Sequence, residues 1–315
     1  MPDTISFRVE AMLRRAFIDA AWPVIAAVMA GRNTGPVPPI FGLWFLEFAC
    51  KPHKLHGFGS LWTATHSKLG ITFGFYKNKL VFVSASLPRV LFGSNARHLL
   101  NQADIDAALE AMLVILDEVA DIRAVVQYAR FTRLDLVRAL PVPLADVKRT
   151  LRYARHPGFR GEGIVRDNSV FYDGTNVGII FYDKQRKEKL PAIGTETRCE
   201  IRLKNPKAIA RYPGIVGPGL SINFNAAYAA YREELGKFPA ITGVPKQDLY
   251  SFLATVAASD RNYDGLPLMD FYFSMACPTA ESAARTRREV AKRVPVMTKT
   301  TLVDLLPPLP PAALL

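Results

Sequence analysis

The sequence predicts an α+β fold, an antiparallel β-sheet with helices packed on one face and a helical region after it. Three observations carry this. Two stretches read as β-hairpins, each a pair of apolar runs around a polar turn. Strand–helix–strand alternation of the doubly wound type is not sustained, and no glycine-rich phosphate loop occurs. Beyond about residue 219 the apolar spacing becomes helical.

Taken in order, "MLRRAFIDAAWPVIAAVMAGR" reads as a core helix or helix pair over 8–30, broken near Pro23. Its uninterrupted apolar run, Ala20 to Ala30, is too short to span a bilayer. "GPVPPIFG" (35–42) punctuates the chain. "GITFGFYKNKLVFVSAS" (70–86) is the first hairpin, turning at Lys77-Asn78-Lys79. "ADIDAALEAMLVILDEVA" (103–120) has the helical period, with Asp104 placed as its cap. "AVVQYARFTRLDLVRAL" (124–140) reads as a long strand, and "PLADVKRTLRYARH" (143–156) as a basic amphipathic helix.

"SVFYDGTNVGIIFYDK" (169–184) is the second hairpin, turning at Asp173-Gly174. "TRCEIRLK" (197–204) is a further strand. Asn205 caps a short helix with Pro206 in its first turn. The sheet core thus runs over about 60–212. The expected division is a first domain over 1–218 and a C-terminal helical region over 219–315, ending in the proline-rich "LLPPLPPAALL".

Composition narrows the partners. Lys plus Arg is 40 against 28 for Asp plus Glu, a net charge of +12. Such a surface attracts polyanions, nucleic acid or anionic membrane. The three cysteines are far apart and form no CxxC pair, which argues against a zinc site and a disulfide scaffold and fits a reducing cytoplasm.

Side chains alternate across a strand, so residues two apart share a face. Arg133 and Asp135 share one face of their strand, Tyr182 and Lys184 of theirs, and Arg198, Glu200 and Arg202 of theirs. If these strands are neighbours, carboxylates, a tyrosine and several cations meet. Carboxylates hold hard divalent cations such as Mg²⁺ or Mn²⁺. A tyrosine hydroxyl can attack phosphorus and remain covalently attached. Lysine and arginine can steady the equatorial oxygens. His66 precedes the first hairpin and could reach the same face. The alternative is a strand face whose charges only solvate the sheet.

"THSKLGITFGFY", "VSASLPRVLFGSN", "TRLDL", "IIFYDKQRKE" and "TRCEIRLKNPKAIARY", in this order over about 60–215, resemble the filamentous-phage gene II replication initiators and related phage and plasmid rolling-circle proteins. The resemblance implies a divergent relative of the HUH endonucleases. It implies a metal-dependent enzyme, using Mg²⁺ or Mn²⁺, that nicks DNA at a replication origin through a 5′-phosphotyrosine and later rejoins the strand. Carried over, the nucleophile falls on Tyr182 in "FYDK", with Lys184 beside it. Arg198 or Arg202 would stabilise the transition state. Asp135 and Glu200 match acidic metal ligands, with Glu188 or His66 completing the set. Glu188 stands one residue further from the tyrosine than the family's spacing. In a neighbouring plasmid family the nucleophile lies one strand earlier, where this chain has Tyr172.

The expected partners are single- and double-stranded DNA at an origin, with a host helicase implied by the resemblance and no membrane. Arg133, Lys148, Arg149, Arg152, Arg155 and Arg160 are candidates for gripping the DNA backbone. The rival reading is a non-enzymatic basic DNA-binding regulator of a replicon, such as a repressor. A mobilisation relaxase is a weaker third, because no His-hydrophobic-His triplet occurs.

Overall fold

A computed structural model describes residues 1–30, 40, 43–49, 61–95, 97–140, 143–151, 156, 158–159, 163–166, 168–183, 197–238, 262–263, 266–267 and the positions 279, 281, 284, 285 and 288. The fold is α+β, built on antiparallel strand pairing with a few helices. The chain divides into two compact units. Unit 1 comprises Met1–Leu136, Leu203–Tyr228 and Leu309–Leu315, and unit 2 comprises Val137–Arg202 and Ala229–Pro308.

In unit 1 the elements are β1 (Pro2–Met12), α1 (Arg15–Met29), β2 (Trp44–Ala49), β3 (Leu61–His66), β4 (Ile71–Tyr76) and β5 (Lys79–Ser86). Then come α2 (Leu87–Phe92), α3 (Gln102–Asp117) and β6 (Arg130–Leu140), whose last four residues belong to unit 2. The strand order is β2-β3-β4-β5-β1-β6. The first hairpin forms as the sequence predicts, Tyr76 pairing with Lys79 across Lys77-Asn78.

The first twelve residues correct the sequence reading. Residues 8–12 belong to a strand, not a helix, and β1 sits between β5 and β6. Its signal is a period of two: Ile5, Phe7, Val9 and Ala11 are buried, while Thr4, Ser6 and Arg8 are half-buried. Nor does Pro23 break the helix, for α1 runs through it. That helix is amphipathic rather than wholly buried: Phe17, Ala21 and Ile25 are buried, and Trp22 and Met29 are exposed. Phe17 docks on Phe73 and Phe75 of β4, ring centroids 5.4 and 5.7 Å away.

The sheet of unit 1 therefore has two unlike faces. Ile5, Phe7, Phe73, Phe75, Val83 and Ala85 lie on the apolar one. The other carries Ser6 and Ser84, hydroxyl to hydroxyl at 2.9 Å, and Thr65 and Thr72 at 3.0 Å. Phe82 lies over Gly74, where a Cβ would stand 2.0 Å from its ring, so only glycine fits there.

Two local readings change in detail. α3 is capped by Asn101, whose side chain accepts from the Asp104 N–H at 2.8 Å, and Asp104 reaches back to the Leu100 N–H. The reciprocal bonds resemble a capping box, which has its acid at the third helical position rather than at the cap. The long strand predicted over 124–140 begins at Arg130, after a single 3₁₀ turn at Val126–Tyr128.

Unit 2 holds α4 (Leu144–Leu151), β7 (Ile164–Arg166), β8 (Ser169–Asp173), β9 (Val177–Tyr182) and β10 (Thr197–Leu203), whose last residue is counted in unit 1. The end of β6 precedes them, and the strands follow in the order β6-β10-β9-β8-β7. The second hairpin and the strand at 197–203 match the sequence reading. His156, predicted at the end of a helix, lies outside it and is buried. In unit 1 the short α5 (Pro206–Ile209) has the predicted cap, the Asn205 side chain accepting from Ala208 N–H at 2.9 Å. α6 (Phe224–Gly236) matches the first of the helices expected after 219; "QDLYSFLATVAAS" lies outside the described residues, and of "ESAARTRREVAKRV" only Glu281, Ala284, Arg285 and Arg288 are described, all helical.

Candidate active site

Unit 2 brings together four of the predicted residues. β9 and β10 are neighbours. The Tyr182 hydroxyl donates to Glu200 Oε2 at 3.3 Å. Arg202 Nε donates to Glu200 Oε1 at 2.5 Å. The Arg198 guanidinium lies over the Tyr182 ring, 6.0 Å from its centroid. Glu200 thus holds a phenol on one oxygen and a guanidinium on the other, with a second guanidinium against the ring. Alternation places Arg198, Glu200 and Arg202 on one face of β10, as the sequence predicts.

What the sequence did not show is how little of this face meets solvent. Tyr182 is 8% exposed, Glu200 6% and Arg198 3%. Every residue of β9 is buried. The Glu200 charge is tolerable here because Arg202 pairs with it and Tyr182 donates to it.

Tyr172 sits in different surroundings. It is buried, and its hydroxyl donates to the Leu151 carbonyl at 3.1 Å. Phe238, Phe159 and His156 surround its ring, centroids 4.9, 5.7 and 6.4 Å away. His156 accepts the Gly158 N–H on Nδ1 at 3.0 Å and turns Nε2 toward Glu234, 3.5 Å away. Lys237 donates to the other Glu234 oxygen at 2.6 Å. Sequence reading missed this His–Glu–Lys chain, in which His156 and Glu234 are buried. Its only trace was the Glu234–Lys237 spacing of three, ordinary in any helix.

In unit 1, Asp135 is 1% exposed and gripped by Nε and Nη2 of Arg133, at 2.8 and 2.5 Å. His66, also in unit 1, accepts the Leu69 N–H on Nδ1 at 3.2 Å and packs edge-on against Trp44. Burial lowers its pKa below the usual value, partly offset by Glu118. Lys148 is half-buried on α4. Arg149 lies on the same helix, its side chain outside the described atoms. Lys184, Glu188, Arg152, Arg155 and Arg160 lie outside the described residues.

Among the described residues no three of His, Cys, Asp and Glu come together. Asp135 is occupied by Arg133, and Glu200 by Arg202 and Tyr182. With those partners in place, these donors do not fit a divalent cation. Cys199, beside Glu200, is buried, and burial pushes its thiol up to about 12, which makes it an inert core residue.

No family model matches the chain, and no curated protein is similar to it in sequence. Among solved structures, the rolling circle replication initiator protein from Geobacillus stearothermophilus aligns over 95% of this chain and 97% of its own, at 10% identity and a TM-score of 0.32. Among the described residues no helix is long and apolar enough to cross a membrane.

Proposed function

We propose that the chain is a rolling-circle replication initiator that cuts and rejoins one DNA strand, with Tyr182 as nucleophile. The observation that carries the reading is the Tyr182–Glu200 hydrogen bond beside Arg198 and Arg202. A phenol is a weak nucleophile until a base takes its proton, and a carboxylate on its hydroxyl is placed to do so. In the proposed step the Tyr182 oxygen forms a bond to phosphorus and its proton passes to Glu200. The phosphorus–O3′ bond breaks, and the 3′ oxygen takes a proton from solvent. Arg198 and Arg202 stabilise the charge that grows on the phosphoryl oxygens. Rejoining is the reverse attack of a 3′ hydroxyl on the phosphotyrosine. The reading includes Mg²⁺ or Mn²⁺, as the resemblance implies, and assigns it no ligand among the described residues. Origin DNA as substrate, a host helicase and a cytoplasmic setting belong to the same proposal.

The test mixes the protein with labelled single-stranded DNA from its replicon's origin, with Mg²⁺ or with chelator, and runs a denaturing gel. A labelled covalent adduct that needs Tyr182 supports the proposal. One observation favours a second reading: Tyr182 is only 8% exposed, as a packing tyrosine would be. Tight binding without any adduct would make the chain a non-enzymatic DNA-binding regulator.

A further inference from the structure

We propose that unit 1 carries a separate site for one nucleotide of single-stranded DNA, built around Arg8, Arg130 and Tyr128. The site begins with an irregularity in the β1–β5 pairing. Arg8 pairs with Phe82 and Ala11 with Leu80, so Val9 and Glu10 face the single residue Val81. Two residues opposite one is a β-bulge, which opens the ladder and re-aims side chains. A pocket of about 360 Å³ lies at this point, lined by Arg8, Val9, Glu10, Val81, Val125, Tyr128 and Arg130. That volume is at the lower end of ordinary small-ligand sites.

The lining specifies an anion with a ring attached. Arg8 and Arg130 are direct partners across β1 and β6. Two guanidiniums on one face attract an anion that can accept from both. The one carboxylate in the lining, Glu10, is engaged by Lys79 at 3.2 Å. Tyr128 stands 73% exposed at the rim, an aromatic surface with no packing reason to face water. A phosphate on the arginines and a base on Tyr128 satisfy both features, and the net charge of +12 favours a polyanion. The polar sheet face of Ser6, Ser84, Thr65 and Thr72 belongs to the same unit. The occupant is a strand rather than a duplex, because only an unpaired base offers its face for stacking.

The site is independent of chemistry at Tyr182, so binding is measured without divalent metal. The probe is a short dye-labelled oligothymidylate, read by fluorescence anisotropy across a salt series. Tyr128→Ala is expected to weaken binding about tenfold. Arg130→Ala is expected to weaken it and to reduce the salt slope by about one. Both positions are exposed, so both variants keep the fold, checked by thermal melting. Arg15→Ala removes the same charge from the start of α1, a residue outside the pocket's lining, and is expected to change binding little. Four outcomes overturn the proposal. They are wild-type binding by both variants, an Arg15→Ala loss equal to that of Arg130→Ala, equal competition by polyglutamate, and a mononucleotide that binds as tightly as the strand.

Discussion

Tyr172 and Tyr182 stand on adjacent strands of one hairpin, yet they face opposite ways. The register explains it. Tyr172 pairs with Ile179 and Val170 with Phe181, so these four share a face. Tyr182 pairs with Ser169, which places it on the other. The first face is aromatic, with Phe181 and Tyr172 both against Phe238. The second is ionic, with Tyr182, Glu200, Arg202 and Arg198. The same side chain is therefore a packing element on one face and a proton donor to a carboxylate on the other. Residue type alone cannot separate the two roles; strand register and the neighbour across the ladder can.

The contrast breaks most visibly in the aromatic face. Phe238→Ala removes a fully buried ring that touches Tyr172, His156 and Phe181. It is expected to cost about 3–5 kcal/mol, read by denaturant unfolding. Glu200→Ala removes the carboxylate that Tyr182 and Arg202 donate to. The expected cost is about 3 kcal/mol, toward the low end for a buried pair because Arg202 is a third exposed. Adduct formation should vanish with it.

Tyr172→Phe sharpens the comparison. It loses one hydrogen bond to the Leu151 carbonyl, about 1 kcal/mol, and is expected to leave the adduct intact. The smallest effect concerns Cys199. Its thiol, held at about 12 when folded against the ordinary 9, keeps its proton longer in the fold than in the unfolded chain. The stability it contributes is complete below pH 9 and falls as pH rises from 9 toward 12. Cys199→Ala should flatten the alkaline limb of a stability–pH profile. The native thiol should resist a thiol reagent at pH 8.

Much of this was legible in the sequence where local chemistry decides the structure. The hairpin turns, the Asn205–Pro206 helix start and the shared face of Arg198, Glu200 and Arg202 each follow from neighbours a few residues apart. β1 was not read, although Ile5, Phe7, Val9 and Ala11 alternate plainly. The helical pattern after Arg15 reads on backward to residue 8 and so takes in Val9 and Ala11, and a strand's place between β5 and β6 depends on partners far away in sequence. Burial of the ionic face was not legible either, since alternation says which way Glu200 points and nothing of what covers it. Nor was the Arg8–Arg130 pairing, which only the register of β1 on β6 reveals.

The central claim is that the ionic face, not the aromatic one, holds the nucleophile. The direct test is the covalent-adduct gel with wild type, Tyr182→Phe and Tyr172→Phe on single-stranded origin DNA. The account predicts an adduct for wild type and Tyr172→Phe and none for Tyr182→Phe. An adduct that survives Tyr182→Phe, or one lost only with Tyr172→Phe, would contradict it.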